Sequence, residues 1–346
     1  MEAARRNHSI DCMKGICIVF IIITHFTWND SERLRYLFPF WIDMAVPFFM
    51  IISGFVYARS FIKHEIVTLE SAYCLKNVLN TFIRYTVPFA FVFAVEEMLF
   101  IYIGGGYDTF QLIRDFLSGG MGPGSYYYPV MIQFVLYFPI IYILVKKHDF
   151  RGVCACALIN IIYEVCRNAY GMNVECYRLL VFRYTLCIAF GCYLSIGNYK
   201  RNVRLSGIMV LMGIFYIVVF RYLGYTPPIT NFWTGTCIWA CLYIIPISAW
   251  ILNCNGMKNG ILELFGKASY NIFLVQMIYY RGARIVYGLI ENRTLQLGIN
   301  LVICLGMGVI FYYVEKPVTD YINKKAYLIL EKIEDNSKIK MDGINS

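Results

Sequence analysis

Ten apolar runs, each long enough for a membrane-spanning helix, follow one another along the chain. They cover approximately 12–30, 39–60, 80–103, 126–145, 152–168, 178–196, 205–224, 232–252, 265–288 and 295–315. The stretches 116–145, 222–257 and 294–314 contain no Asp, Glu, Lys or Arg. A bilayer-spanning helix needs about 20 predominantly apolar residues, and barrel strands would instead alternate with period 2. The pattern therefore predicts an all-α, polytopic integral membrane protein with about ten transmembrane helices.

The composition points in the same direction. Of the 346 residues, 59% are hydrophobic and 15% are charged, whereas soluble domains carry roughly 25% charged residues. This composition excludes a water-soluble globular protein. It makes the lipid bilayer a partner of the chain.

The positive charges give the predicted topology. The net charge is +9, but the basic residues are spread over short loops and form no single patch, so nucleic acid is not expected as a partner. With the N-terminus inside, 21 of the 31 Lys and Arg fall on the inner side. Because inner loops are enriched in Lys and Arg, this asymmetry predicts cytoplasmic N- and C-termini and an even number of spans.

The chain divides into one membrane domain, 1–321, and a charged cytoplasmic tail, 322–346. Helical periodicity in the tail fades after about residue 333, so we predict a disordered end. The glycine-rich segment 104–125 encloses a short amphipathic piece that includes Phe110 and Phe116. Such a piece suits the membrane interface.

Lys14 and His25 are the first candidates for function, because ionisable side chains inside a span are costly and often functional. Eleven residues separate them, which is about three helical turns, so they share one helix face roughly 16 Å apart. Histidine suits general-base catalysis near neutral pH. Two plainer interpretations stay open: His25 as a packing residue and Lys14 as a snorkelling, positive-inside residue.

Other charges in the predicted spans are weaker candidates. Arg84 and Arg183 stand out because a guanidinium group binds phosphate through paired hydrogen bonds. Asp43 and Glu315 are supporting candidates, with an ion pair between packed helices or at a helix end as the alternative.

Two uncharged side chains complete the candidates. Ser53 lies in PFFMIISGFVYARSF, where a small-residue helix contact is the alternative to a functional hydroxyl. Gln133, in a tyrosine-rich span, is a candidate hydrogen-bond donor for a sugar. The cysteines lack metal-site spacing, so we expect neither a metal nor a bound cofactor.

Taken in order, these motifs resemble the membrane-bound acyltransferase family 3, the ten-span O-acyltransferases that modify bacterial cell-surface carbohydrates. The resemblance rests on a basic residue followed after ten residues by His in the first span, FFMIISGF in the second, an Arg that opens the third, YYPVMIQFVLYFP in the fourth, GKASYNIFLVQ in the ninth and VEKP at the end of the tenth. It covers the chain from Ser9 to about Tyr321.

The resemblance implies the function. It predicts transfer of an acyl group, with acetyl expected, from acyl-CoA to a hydroxyl of a cell-surface or exported glycan or glycolipid, by a multi-pass protein of the bacterial cytoplasmic (inner) membrane. Whether His25 acts as base or acyl carrier stays open. So do the acceptor, the side of the membrane on which it is modified and the oligomeric state.

The resemblance also assigns residues. His25 corresponds to the essential histidine, Lys14 and Arg84 to basic residues of the first and third spans, and Glu315 to the closing acidic residue. The chain departs from the family pattern twice: Lys14 stands where Arg is usual and would bind phosphate as a point charge, and Gln276 stands where many relatives have His. The rival hypothesis is a non-enzymatic transporter or flippase, against which the lack of a visible inverted repeat counts.

Overall fold

The computed structural model describes residues 8–103, 106, 108–197, 202–226, 232–253 and 257–344. Within these ranges the chain is helical and contains no strand. The helices are α1 (His8–His25), α2 (Asp30–Arg35), α3 (Ala45–Lys63), α4 (Leu69–Ala72), α5 (Leu75–Tyr102), α6 (Thr109–Ser118), α7 (Tyr127–His148), α8 (Phe150–Ala169), α9 (Val174–Leu179), α10 (Thr185–Ile196), α11 (Val203–Ile217), α12 (Ile238–Asn253), α13 (Gly260–Lys267), α14 (Ser269–Leu289) and α15 (Arg293–Ile344).

Each of the ten predicted apolar runs contains one long helix, and the all-α prediction is confirmed. Six helical segments of the described chain are long and apolar enough to cross a membrane: His8–His25, Phe38–Lys63, Leu69–Tyr102, Tyr127–His148, Val203–Tyr222 and Arg293–Ile333. Two shorter apolar segments are Val181–Ile196 and Ile238–Asn253. The number of ten spans and the cytoplasmic position of both termini stay predictions.

The first span ends earlier than the sequence predicts. α1 stops at His25, and a short α2 follows before α3 begins at Ala45. Asn29 caps α2, because its side chain accepts a hydrogen bond from the Glu32 amide at 2.8 Å while the Glu32 carboxylate accepts one from the Asn29 amide at 3.0 Å. Such a capping box fixes a new helix start. His25 is therefore the last residue of its helix and lies at the end of the candidate span His8–His25.

α3 and α10 pack at the closest distance that backbones allow. A Cβ added to Gly54 would lie 2.2 Å from the Ile188 carbonyl oxygen, and one added to Gly191 would lie 1.9 Å from that of Ile51. Only glycine fits at both positions, as in small-residue contacts between membrane helices. The Ser53 hydroxyl donates to the Phe49 carbonyl oxygen at 2.9 Å within its own helix. This geometry favours the packing interpretation of the Ser53–Gly54 pair.

Seven helices of the described chain pack around the candidate site. α1 packs on α3, α13, α14 and α15, and α5 packs on α7, α14 and α15. The start of α1 is joined to α13 by a hydrogen bond between His8 Nδ1 and Glu263 Oε2 at 2.7 Å. This end of the bundle, with the C-terminal end of α3, lies opposite the end that carries His25.

The amphipathic stretch of segment 104–125 is helix α6. Phe110, Ile113 and Leu117 are exposed, whereas the Phe116 ring lies 5.3 Å from the ring of Phe93 and packs against the bundle. The prediction of a short amphipathic helix is confirmed. Its position at a membrane interface stays a prediction.

The final helix is longer than the sequence predicts. We expect disorder after about residue 333, whereas α15 continues to Ile344.

Candidate active site

A cavity of about 660 Å³ opens between α3, α5, α7, α14 and α15. Its wall carries three exposed cations, Arg84, Lys267 and Lys316, and two carboxylates, Glu315 and Asp320. Clustered cations attract anionic ligands, and a guanidinium group can bind phosphate in a paired fashion. We call this space the basic cavity.

Glu315 is a fixed carboxylate in the wall of the basic cavity. It is buried, and its Oε2 accepts a hydrogen bond from Asn271 Nδ2 at 3.0 Å, while Oε1 accepts one from the Thr319 hydroxyl. A carboxylate has room for about four hydrogen bonds. Glu315 can therefore accept a further N–H or O–H from a ligand in the cavity.

The two predicted donor-binding residues lie in different places. Arg84 lines the basic cavity, whereas Lys14 is absent from the described residues of its wall. Lys14 is half-buried on α1, beside Gly15, where the helix presses against Leu262 of α13. Both residues belong to the end of the bundle opposite His25.

A stripe along α1 connects that end to His25. The stripe consists of Lys14, Ile18, Ile21 and His25. Their intervals of four, three and four residues place them on one helix face. Ile18 and Ile21 line a second, smaller pocket of about 20 Å³. Tyr270 lines this pocket and also the basic cavity. We call the second space the small pocket.

His25 is enclosed by α14 and by a glycine-rich loop. The Tyr280 ring meets the imidazole edge to face at a centroid distance of 6.0 Å, and the Tyr280 hydroxyl donates to the Ile22 carbonyl oxygen at 2.7 Å. The fully buried Gln276 amide also faces His25. Within the described chain, neither Nδ1 of His25 nor either amide atom of Gln276 completes a hydrogen bond of ordinary geometry. These atoms are buried, and their hydrogen-bonding capacity is not used up within the described chain.

The loop 119–124 closes the site over His25. A Cβ on Gly124, whose φ is +88°, would lie 3.3 Å from His25 Cε1 and 2.8 Å from Phe273 Cζ. Glu96 holds the loop, since its Oε2 accepts the Met121 amide at 3.3 Å. Sequence reasoning missed this role of the loop, and the dense glycines of GGMGPG were the available signal.

Arg183 belongs to a buried polar cluster at the His25 end. Its Nε donates to the Thr236 hydroxyl and its Nη2 to the Thr234 hydroxyl, both at 3.2 Å, and its guanidinium carbon lies 5.8 Å from the centroid of the Tyr126 ring. The buried Glu164 accepts hydrogen bonds from Asn160 and from the Ile238 amide. We call Arg183, Glu164, Asn160, Thr234 and Thr236 the buried polar cluster.

Asp43 and Gln133 have structural partners. Asp43 Oδ1 pairs with Arg33 at 2.8 Å, and its Oδ2 accepts the Trp233 indole N–H at 2.8 Å. Gln133 donates to the Leu179 carbonyl oxygen at 2.7 Å and accepts from the Val181 amide at 3.1 Å. These contacts favour structural roles over direct ligand binding for both residues.

A family model described as an acyltransferase domain matches residues 7–314. The match includes Lys14, His25 and Arg84 and ends just before Glu315. No curated protein and no solved structure gives a significant match.

Proposed function

The chain belongs to acyltransferase family 3, whose model spans residues 7–314, and from this premise we propose a specific reaction for it. The protein is a multi-pass membrane acyltransferase. It transfers an acyl group, acetyl first of all, from acyl-CoA to a hydroxyl of a cell-surface or exported glycan or glycolipid in the bacterial cytoplasmic membrane.

The observation that carries this proposal is the position of the small pocket, which Ile18 and Ile21 of the His25 face of α1 line together with Tyr270, a residue that also lines the basic cavity. Arg84, Lys267 and Lys316 offer three positive charges in a cavity large enough for part of a CoA molecule. Lys14 adds a cation at the start of the same α1 face. The donor thus binds at one end of the bundle while its thioester points towards His25.

His25 supports either of two chemistries. As a general base, it removes the proton of the acceptor hydroxyl; the oxygen forms an ester bond with the acyl carbon, the C–S bond breaks, and the CoA thiolate takes the proton back. As an acyl carrier, its ring nitrogen first forms the bond to the acyl carbon while the C–S bond breaks and CoA leaves as its thiolate; the acceptor oxygen then forms the ester bond, the imidazole leaves, and the hydroxyl proton passes to the thiolate.

The test is release of free CoA by the purified protein in nanodiscs, supplied with acetyl-CoA and with surface glycan extracted from cells that lack the gene. We expect CoA release together with a mass increase of the glycan by the acyl group. Because a general acid–base group contributes about 10²- to 10⁴-fold, His25→Ala should lower the rate by that factor while leaving insertion intact.

The matched control is His148→Ala, which removes an exposed histidine from the end of α7 and should keep the full rate. Near-normal turnover by His25→Ala would return His25 to a packing role. Flux of a solute across a vesicle membrane without CoA release would favour the transporter or flippase instead.

A further inference from the structure

The small pocket has the size and chemistry of a site for a very short acyl group. Its volume of about 20 Å³ slightly exceeds the 10–15 Å³ that one water molecule requires. Most of its wall consists of apolar side chains, those of Ile18, Ile21, Val46, Phe49 and Phe273. No lining residue within the described chain is charged. A methyl group fits such a space better than a polar group does, since an unpaired polar group buried there is costly.

The small pocket lies on the route between donor and His25. Tyr270 forms part of the wall between the small pocket and the basic cavity, because this side chain lines both spaces. The Tyr270 hydroxyl donates to the Tyr85 carbonyl oxygen at 2.9 Å, and Tyr85 also lines the basic cavity.

At its other end the small pocket lies near His25, which is not itself a lining residue. Ile21 stands one turn before His25 on the same face of α1. The Phe273 ring, another wall of the pocket, abuts Gly124 together with the His25 imidazole. An acyl chain in the pocket therefore has its carbonyl end beside His25.

We propose that the small pocket binds the alkyl end of the transferred acyl group and limits the donor to acetyl-sized thioesters. This inference rests on the proposed acyl transfer. Tyr270 turns aside to admit the thioester, the methyl group enters between Ile21 and Val46, and the acyl carbon stays next to His25. A longer chain overfills the pocket, since cores resist added methylenes.

The test compares kcat/KM for acetyl-, propionyl-, butyryl- and hexanoyl-CoA in the CoA-release assay. For the wild type we expect kcat/KM to fall about 10- to 200-fold for the first methylene that the pocket rejects. Ile21→Ala and Val46→Ala enlarge the pocket from two different helices. Each should raise the hexanoyl-to-acetyl ratio at least about tenfold, in line with the value of one methylene.

The matched control is Ile16→Ala, which removes the same atoms from another face of α1 and should keep the wild-type profile. Turnover of acetyl-CoA by each variant shows that the variant is folded. Because Ile21 and Val46 lie on different helices, the two enlarging variants give two separate tests of the pocket. The pocket assignment is overturned if the wild type has the same kcat/KM for hexanoyl-CoA as for acetyl-CoA. It is also overturned if the enlarging variants leave the hexanoyl-to-acetyl ratio unchanged. Either result would leave the proposed acyl transfer itself intact. Absence of CoA release from every donor would overturn the proposed function and, with it, the pocket assignment.

Discussion

The basic cavity and the buried polar cluster use the same kind of side chain in opposite ways. Arg84 projects into an open cavity and is exposed, whereas Arg183 is 5% exposed and donates to two threonine hydroxyls. An exposed cation keeps its hydrogen-bonding groups free to exchange water for a ligand, while a buried one already stabilises the fold around it. Charge type alone thus does not identify a ligand site, and exposure decides between the two roles.

The largest effect is expected in the buried polar cluster. Arg183→Met should lower the free energy of unfolding by about 3–5 kcal/mol, because removal of one member of a buried charged network leaves the others unpaired. Thermal unfolding of the protein in detergent, followed by size-exclusion chromatography, measures the effect.

Arg178→Met is the control, since Arg178 is an exposed arginine five residues away and should change stability little. A stable Arg183→Met protein that loses glycan-dependent CoA release would break the comparison, because the cluster would then act on a ligand.

An intermediate effect is expected from substitution in the basic cavity, and it should appear in donor binding and not in the chemical step. Arg84→Ala should raise the KM for acetyl-CoA by about tenfold with little change in kcat, since a charge-assisted hydrogen bond is worth about 1.5–3 kcal/mol and solvent weakens it here. Initial rates normalised to inserted protein give both constants. Arg59→Ala, an exposed arginine outside the cavity wall, should leave them unchanged.

Substitutions of Lys14 test whether a cation outside the described wall of the basic cavity also contributes to donor binding. If its charge helps to hold the donor, Lys14→Ala raises KM and Lys14→Arg restores it, since Arg offers phosphate a forked geometry. Unchanged constants with lower abundance would identify Lys14 as a topological residue.

The smallest effect belongs to an exposed ion pair at the His25 end. The Asn29 amide and the Arg293 guanidinium hold the pKa of Glu32 below its usual value of 4.5. A carboxyl with a lowered folded-state pKa adds stability above that usual value and loses it as the pH falls through the folded-state pKa. The stability difference between wild type and Glu32→Gln should therefore be small at pH 7 and vanish in acid.

Thermal unfolding of both proteins from pH 7 down to pH 3 measures this difference. A stability difference between the two proteins that widens in acid would contradict the lowered pKa of Glu32 in the folded state. A large stability difference at neutral pH would show that an exposed ion pair also stabilises this fold. That result would weaken the contrast between the exposed charges of the basic cavity and the buried polar cluster.

The sequence predicted the helices because hydrocarbon imposes one requirement on every span, a long apolar run whose backbone hydrogen bonds are internal. It also predicted that Lys14 and His25 share a helix, since that depends on helical period alone. It missed the end of α1, because the apolar run continues past His25 while the capping box at Asn29 starts a new helix.

The walls of the site could not be predicted in the same way. Arg183 is buried by Thr234 and Thr236, more than fifty residues later in the chain, and no local pattern reports such a contact. Tyr270 separates two spaces only because α14 happens to pack beside both α1 and α5. The roles of Arg84 and Tyr270 therefore follow from tertiary packing.

The extended α15 carries the wall of the basic cavity beyond the last apolar run of the chain. Tyr327 lines this cavity, twelve residues and about 18 Å beyond residue 315, where the last apolar run ends. Lys76 of α5 holds α15 there, with its ammonium group 4.6 Å from the Tyr327 ring and 3.5 Å from a Glu331 oxygen. The two helices therefore form a rim of charged and aromatic side chains around this part of the cavity, beyond the last apolar run of the chain.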